Sequence, residues 1–157
     1  HNAAAQAPDV RCHSEKFIFQ KGLVMGLDMY AYTMRAEFVG EQQTDVKIES
    51  DADSKAAQVR YIAYWRKFNH LHGWMEKLYE EKGGKGNPFN CANVRLNADD
   101  LDRLEQALDE GTLEYTPGFF FGGDEIHPDY VADTRIFIVK ARAALAGGQA
   151  VFYDCWW

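Results

Sequence analysis

The segment from Ser54 to Lys82 carries the pattern that most constrains how this chain can fold. Its bulky residues, with one histidine among them, recur at alternating steps of four and three positions: Tyr61, Trp65, Phe68, His72, Met75 and Tyr79. Such steps place side chains on one face of an α-helix. Because Ser54 is a good N-cap residue and Gly83 and Gly84 follow the segment, the sequence predicts one long helix over residues 54–82.

Three other segments predict strands that this helix would cover. Residues 27–35 and residues 151–157 alternate between two faces that both carry bulk, and residues 91–96 form a third extended run. We expect the first and last of these strands to be neighbours. A short edge strand is a further expectation for residues 46–48.

Two more helices are predicted from their terminal residues. Asn97 and Asp100 have the spacing of a capping arrangement for a helix that Gly111 ends, and Pro128 suits the first turn of a helix that runs to about Ala146. The predicted fold class is therefore α+β, a single domain with a small mixed or antiparallel sheet packed by about three helices.

The composition restricts the classes of partner. Apolar residues make up 46% and charged residues 26% of the 157 residues, as in a globular domain. A net charge of −7 opposes binding to nucleic acid, which requires neutralising lysine and arginine. No apolar run approaches the roughly 20 residues that a membrane-spanning helix needs. We therefore predict neither a membrane protein nor a nucleic-acid-binding one.

The cysteines favour a reducing compartment. Cys12, Cys91 and Cys155 are odd in number and far apart along the chain. This arrangement predicts neither a disulfide framework nor a metal-binding knuckle, and it is typical of a cytoplasmic protein.

A polar cluster interrupts the apolar face of the predicted long helix. His72 lies on that face, Asn69 lies one turn before it, and Arg66 lies on its flank. Buried polar groups are costly without partners, so one interpretation is a hydrogen-bonded core histidine. The other is a pocket in which His72 transfers a proton, Arg66 binds an anion and Asn69 orients the ligand.

Aromatic residues, 14% of the chain, also form two clusters outside this helix. In the first, glycines bracket three phenylalanines at 119–121. These rings either fill the core or leave Phe120 in a cleft, where a planar ligand could stack beside the carboxylate of Asp124. In the second, Trp156 and Trp157 point to opposite faces of the last strand. An outward Trp156 would anchor a dimer or another protein, or would lie under the N-terminal residues.

Four segments together resemble a family of short uncharacterised proteins of bacteria and their phages. They are residues 25–30 (MGLDMY), residues 64–67 (YWRK) with Asn69, His72 and Trp74, residues 118–122 (GFFFG), and the aromatic C-terminal strand. The resemblance implies a mobile or phage-related gene and supplies no activity. The family pattern begins at Met25, so we expect residues 1–24 to be an extension and residues 25–157 to be the domain.

These features predict a non-catalytic module that binds a small ligand or another protein, with a homodimer as a further option. The expected ligand-binding residues are Tyr30, Arg66, Asn69, His72, Phe120, Asp124 and Trp156. No catalytic residue or cofactor is predicted, because the sequence has no phosphate-binding glycine loop and no G-x-S-x-G nucleophile motif. No metal is predicted, because His70 and His72 are two positions apart and not at the i, i+4 spacing of a helical metal site. The alternative is a small enzyme or nucleotide-modifying factor with a pocket formed by His72, Arg66 and Asp124.

Overall fold

The computed structural model of the chain describes residues 26–118 and 121–157. Within these ranges the chain forms one α+β domain, which confirms the predicted fold class. The elements in chain order are β1 (Asp28–Arg35), α1 (Ala36–Val39), α2 (Asp51–Ala57), β2 (Arg60–Arg66), α3 (Asn69–Glu81), β3 (Asn93–Leu96), α4 (Ala98–Glu110), α5 (Pro128–Ala146) and β4 (Gln149–Trp156).

The four strands form an antiparallel sheet in the order β2-β1-β4-β3. The strands predicted at 27–35, 91–96 and 151–157 correspond to β1, β3 and β4. The expected pairing of the first and last strands is confirmed, with Met29 opposite Cys155 and Ala31 opposite Tyr153. This central pair is buried on both faces, which explains why both faces of each strand carry apolar residues.

The prediction of one helix over residues 54–82 is wrong. The segment contains the end of α2 and the whole of both β2 and α3. The backbone adopts left-handed φ values at Gln58 (55°) and at Lys67 (58°), where the chain enters and leaves β2. Aromatic and β-branched residues in β2 favour a strand. The strand also pairs with β1, where Met29 lies opposite Trp65. This pairing satisfies backbone N–H and C=O groups of β1 that would stay unpaired if residues 60–66 were helical.

Both faces of the sheet are covered. On the helical face, which we define as the face covered by α3, α4 and α5, the core includes Met29, Ala31, Val151, Tyr153 and Cys155. On the opposite face, a smaller core brings strand residues together with residues of α1, α2 and the segment before α2: Tyr32, Met34, Val39, Val46, Ile48, Ala57, Ala150 and Phe152. The sheet therefore divides the domain into two separate interiors.

The ends predicted for the other two helices are confirmed, whereas Ser54 lies within α2, whose N-cap is Ser50. The Asn97 side chain accepts a hydrogen bond from the N–H of Asp100 at 2.9 Å, and the Asp100 carboxylate accepts one from the N–H of Asn97 at 2.9 Å. Gly111 follows the last turn of α4 with a φ of 65°, and α5 begins at Pro128. These short-range signals depend on no distant contact.

Residues 43–46 cover the outer edge of β3. Thr44 forms an isolated bridge with Val94, and the Asn93 side chain bonds both backbone groups of Val46, at 2.9 and 2.7 Å. The edge strand expected at 46–48 is not formed. Main-chain hydrogen bonds at Gln43 and Asp45, together with the Asn93 side chain, hold residues 43–46 along β3. Within the described residues no helix is both long and apolar enough to cross a membrane.

The cysteines differ from the sequence expectation. Cys155 is buried and carries a free thiol, whose pKa burial raises well above its ordinary value. Cys91 takes part in a disulfide bond, which an odd and widely spaced set of cysteines did not predict. Cysteine usage therefore gives no support to a reducing compartment, and the cytoplasmic location stays a prediction.

Candidate functional site

The residues predicted to form one pocket fall into two groups on opposite sides of the sheet. Asn69 and His72 belong to α3 on the helical face. Arg66 lies on the opposite face, because its neighbour Trp65 is buried in the helical-face core and successive strand residues alternate. The sheet thus separates Arg66 from His72. These two side chains do not assemble the pocket that the enzyme alternative requires.

His72 is packed in the interior of the helical face. Its Nδ1 lies 2.8 Å from Oη of Tyr153, and the rings of Phe89 and Phe121 each lie with their centroid 5.0 Å from that of the imidazole. Burial lowers the pKa of His72 to about 3 and raises the pKa of Tyr153 well above its ordinary value. Both groups are therefore neutral at pH 7, and their hydrogen bond satisfies two polar groups in an apolar core.

Asn69 fastens the loop that precedes α5. Its Nδ2 donates to the carbonyl oxygens of Phe121 at 3.2 Å and Gly123 at 2.7 Å, and its Oδ1 accepts from the N–H of Thr116 at 3.0 Å. Both amide hydrogens are used in this way. Asn69 therefore holds the chain in place and has no donor left for a ligand.

Asp124, another predicted residue of this loop, makes a main-chain contact with α3. The backbone carbonyl of Asp124 lies 3.0 Å from Nε2 of His70, a contact in which the carbonyl accepts, while the Asp124 side chain is exposed. Phe120 lies outside the described residues. Asp124 therefore lies at the surface, and its contact with α3 is made by its main-chain carbonyl.

The buried imidazole gives the protein a specific pH dependence. Between pH 6.5 and about pH 3, residue 72 binds a proton in the unfolded chain but not in the folded one. Stability from this group is complete above pH 6.5 and falls on acidification by about 1.4 kcal/mol per pH unit. We expect wild type to lose more stability than His72→Gln between pH 7 and pH 4, as measured by urea unfolding. A constant difference between the two proteins would contradict this.

A second group of side chains lies on the opposite face, at the end of the sheet. Oη of Tyr64 donates to Oδ1 of Asp28 at 2.6 Å, and a guanidinium nitrogen of Arg66 donates to the same oxygen at 3.1 Å. The ring centroids of Tyr64 and Tyr30 are 5.2 Å apart. Trp156 lies opposite Asp28 in the adjacent strand. We call Asp28, Tyr30, Tyr64, Arg66 and Trp156 the tyrosine patch.

Three of the predicted residues, Tyr30, Arg66 and Trp156, are thus brought together, and two others that complete the patch were missed. The sequence pattern predicts a strand at Asp28 and a helix at Tyr64, and it indicates no role in a site for either residue. A strand period applied to residues 60–66 places Tyr64 and Arg66 on one face and so signals this group. Burial, reinforced by the hydrogen bond to the Asp28 carboxylate, raises the pKa of Tyr64, so its hydroxyl stays protonated as a donor.

One open groove between described elements lacks the side chains that usually carry acid–base or thiol chemistry. An open groove of about 710 Å³ lies between the start of β2 and the C-terminal half of α5, and its lining includes Arg60, Ile62 and Ala144. This lining has cations and apolar groups but no carboxylate, histidine or cysteine. Across residues 26–118 and 121–157, no cluster of three or more His, Cys, Asp or Glu side chains could hold a metal ion.

Comparison with known proteins adds no relative. No protein-family model matches the sequence, and no curated protein or solved structure matches it significantly. The resemblance to short bacterial and phage proteins therefore stays a prediction. A proposal about function has to be built on the geometry of the two clusters.

Proposed function

We propose that this chain is a non-catalytic module that binds another protein through the tyrosine patch. The main support for this proposal is the environment of Tyr64. The residue is 44% exposed, although its hydroxyl donates a hydrogen bond to Asp28 and its ring contacts Tyr30. An aromatic side chain that is already immobilised loses little conformational freedom when a partner covers it. Tyr64 is thus prepared for contact before any partner arrives.

The neighbours of Tyr64 support a protein partner. Arg66 and Trp156 are each partly exposed beside it, and tyrosine, tryptophan and arginine are the residues enriched at the energetic centres of protein interfaces. Because Asp28 balances the charge of Arg66, recognition at the patch would depend on apolar contact and hydrogen bonds. The net charge of −7 on the whole chain favours faster association with a partner whose surface is basic.

The small-enzyme alternative has no comparable observation in its favour. It requires Arg66 and Asp124 to join His72, whereas Arg66 belongs to the tyrosine patch and the Asp124 side chain faces solvent. His72 itself is committed to Tyr153. A pocket at this place would require the core of the helical face to open.

Replacing Tyr64 with alanine is expected to abolish most of the binding. Truncation of a residue at an interface centre costs at least about 2 kcal/mol, or roughly thirtyfold in affinity. The matched control is Tyr115→Ala, since Tyr115 is 48% exposed and lies outside the patch. Proteins captured from a bacterial lysate by the immobilised wild type are identified by mass spectrometry, and the Kd of each purified protein is then measured for all three chains.

The expected result is a protein that wild type and Tyr115→Ala bind equally and that Tyr64→Ala binds at least tenfold more weakly. Equal binding by all three chains would place the interface elsewhere. Failure of the wild type to retain any protein above an empty matrix would overturn the proposal.

A further inference from the structure

Helix α5 is apolar on two opposite sides. Its inner side buries Phe137, Ile138 and Ala141 in the helical-face core. Its outer side carries four apolar residues at steps of four, three and four, all of them exposed: Ala132, Ile136, Val139 and Ala143. Ile136 is 52% and Val139 68% exposed, which is unusual for large apolar side chains that follow a helical period. We call these four residues the outer stripe.

The outer stripe is complementary to itself. When two copies of a helix pack antiparallel around a twofold axis, residues at equal distances on either side of the axis lie opposite each other. An axis at the level between Phe137 and Ile138 sets Ile136 against Val139 of the second copy, and Ala132 against Ala143. The two large residues then meet at the centre, and the small residues let the helices approach at both ends.

The charges beside the stripe fit the same axis. Asp133 and Lys140 are exposed on one flank, and neither forms an ion pair with any described residue. In an antiparallel pair this flank faces the same flank of the second copy. The axis places Asp133 opposite position 142 of the second copy. Lys140 of that copy is two positions away, or about 3 Å along the helix axis. Two symmetric ion pairs would result.

The other flank carries two arginines that would also face each other. Each is already neutralised within its own chain: Arg135 lies 2.8 Å from Asp109, and Arg142 lies 2.7 Å from Asp102 and 2.9 Å from Glu105. Because α4 supplies these carboxylates, the flank carries no uncompensated positive charge, so repulsion between the copies is offset.

We infer that the chain forms a homodimer in which α5 packs antiparallel against α5 of a second copy. A single helix pair buries less than the roughly 1,200–2,000 Å² of a stable protein interface, so the dimer is reversible and depends on concentration. The inference is independent of the tyrosine patch, which lies on the other face of the sheet from α5.

Sedimentation equilibrium of the full chain between about 1 µM and about 1 mM tests the dimer, because this range brackets weak association. Wild type is expected to shift from monomer to dimer, and Val139→Glu is expected to stay monomeric with an unchanged Tm. The control Phe38→Glu, which changes an exposed apolar residue of α1, is expected to dimerise like wild type. A monomeric wild type throughout, or a dimeric Val139→Glu, would overturn the inference.

Charge reversal tests the antiparallel arrangement. Asp133→Lys and Lys140→Asp are each expected to weaken dimerisation at least tenfold, because each sets like charges against each other. The double variant Asp133→Lys/Lys140→Asp is expected to restore the wild-type constant, since it exchanges the two charges. If the double variant dimerises no better than the single ones, the proposed pairing of these two residues is wrong.

Discussion

Replacing Trp65 with alanine is expected to lower the free energy of unfolding by about 3–5 kcal/mol, the range for deleting a buried aromatic side chain. Trp65 is fully buried between β2 and α5, where its ring centroid lies 5.3 Å from that of Phe137. Its indole N–H donates to Oγ1 of Thr134 at 3.0 Å. The substitution therefore leaves a cavity and also removes a buried hydrogen bond.

Urea unfolding followed by circular dichroism measures this loss. Trp65→Phe serves as the graded control, because it keeps most of the apolar contact while losing the hydrogen bond to Thr134, and it is expected to cost less than Trp65→Ala. A loss below about 1 kcal/mol for Trp65→Ala is typical of a surface position. It would show that Trp65 does not face the helical core and that β2 is not paired in the register described.

Replacing Lys82 with methionine is expected to cost about 3–5 kcal/mol, because one partner of a buried ion pair would be left alone. The Lys82 ammonium donates to the Asp100 carboxylate and, at 2.6 Å, to the carbonyl oxygen of Arg95. Both charged side chains are largely removed from solvent. Without Lys82, the Asp100 carboxylate would retain the N–H of Asn97 and a distant Arg103 guanidinium at 3.9 Å.

The matched control is Lys77→Met, which removes an exposed pair with Glu114 at 2.9 Å. Solvent screening limits such a pair to about 1 kcal/mol or less. A double variant, Lys82→Met/Asp100→Asn, is expected to recover part of the stability, since asparagine keeps the helix cap without the unpaired charge. If Lys82→Met and Lys77→Met have equal small effects in the same unfolding assay, the interior ion pair is not formed.

The elements that sequence predicted correctly are those with short-range determinants. The capping residues Asn97 and Asp100 and the proline at 128 each fix a helix end through neighbours within four positions. The alternation along β1 and β4 is equally local. No distant contact is needed to interpret these signals.

The error over residues 54–82 has a specific physical origin. Tyr61 and Trp65 are four positions apart, the spacing of one helical turn. In the strand, a register shift places Trp65 in the helical-face core and Tyr61 against the smaller core of the opposite face. Pairing with β1 decides between helix and strand, and this is a tertiary contact that a single sequence does not display. The burial of His72 was foreseen because α3 is helical, whereas its grouping with Arg66 relied on the continuous helix.

The site could be predicted only in part for the same reason. The chain turns at Lys67. Arg66 and His72, which are six positions apart, therefore lie on opposite faces of the sheet. Tyr30, Arg66 and Trp156 nevertheless lie on one face of the sheet, the face turned away from α3, α4 and α5, where Tyr30 is buried and the other two are partly exposed. Asp28 and Tyr64, which hold that surface together, become recognisable once β2 is treated as a strand.

The central claim is that the core of the helical face is closed to water and contains no ligand pocket. An NMR titration of the His72 ring tests it most directly. The Cε1 resonance of His72 is followed between pH 4.5 and pH 8 in the folded protein and in urea. The imidazole is expected to remain neutral throughout this range when folded, because burial lowers its pKa to about 3, and to titrate near 6.5 when unfolded. A folded-state midpoint near 6.5 would show that water reaches His72, and that the helical face contains a pocket after all.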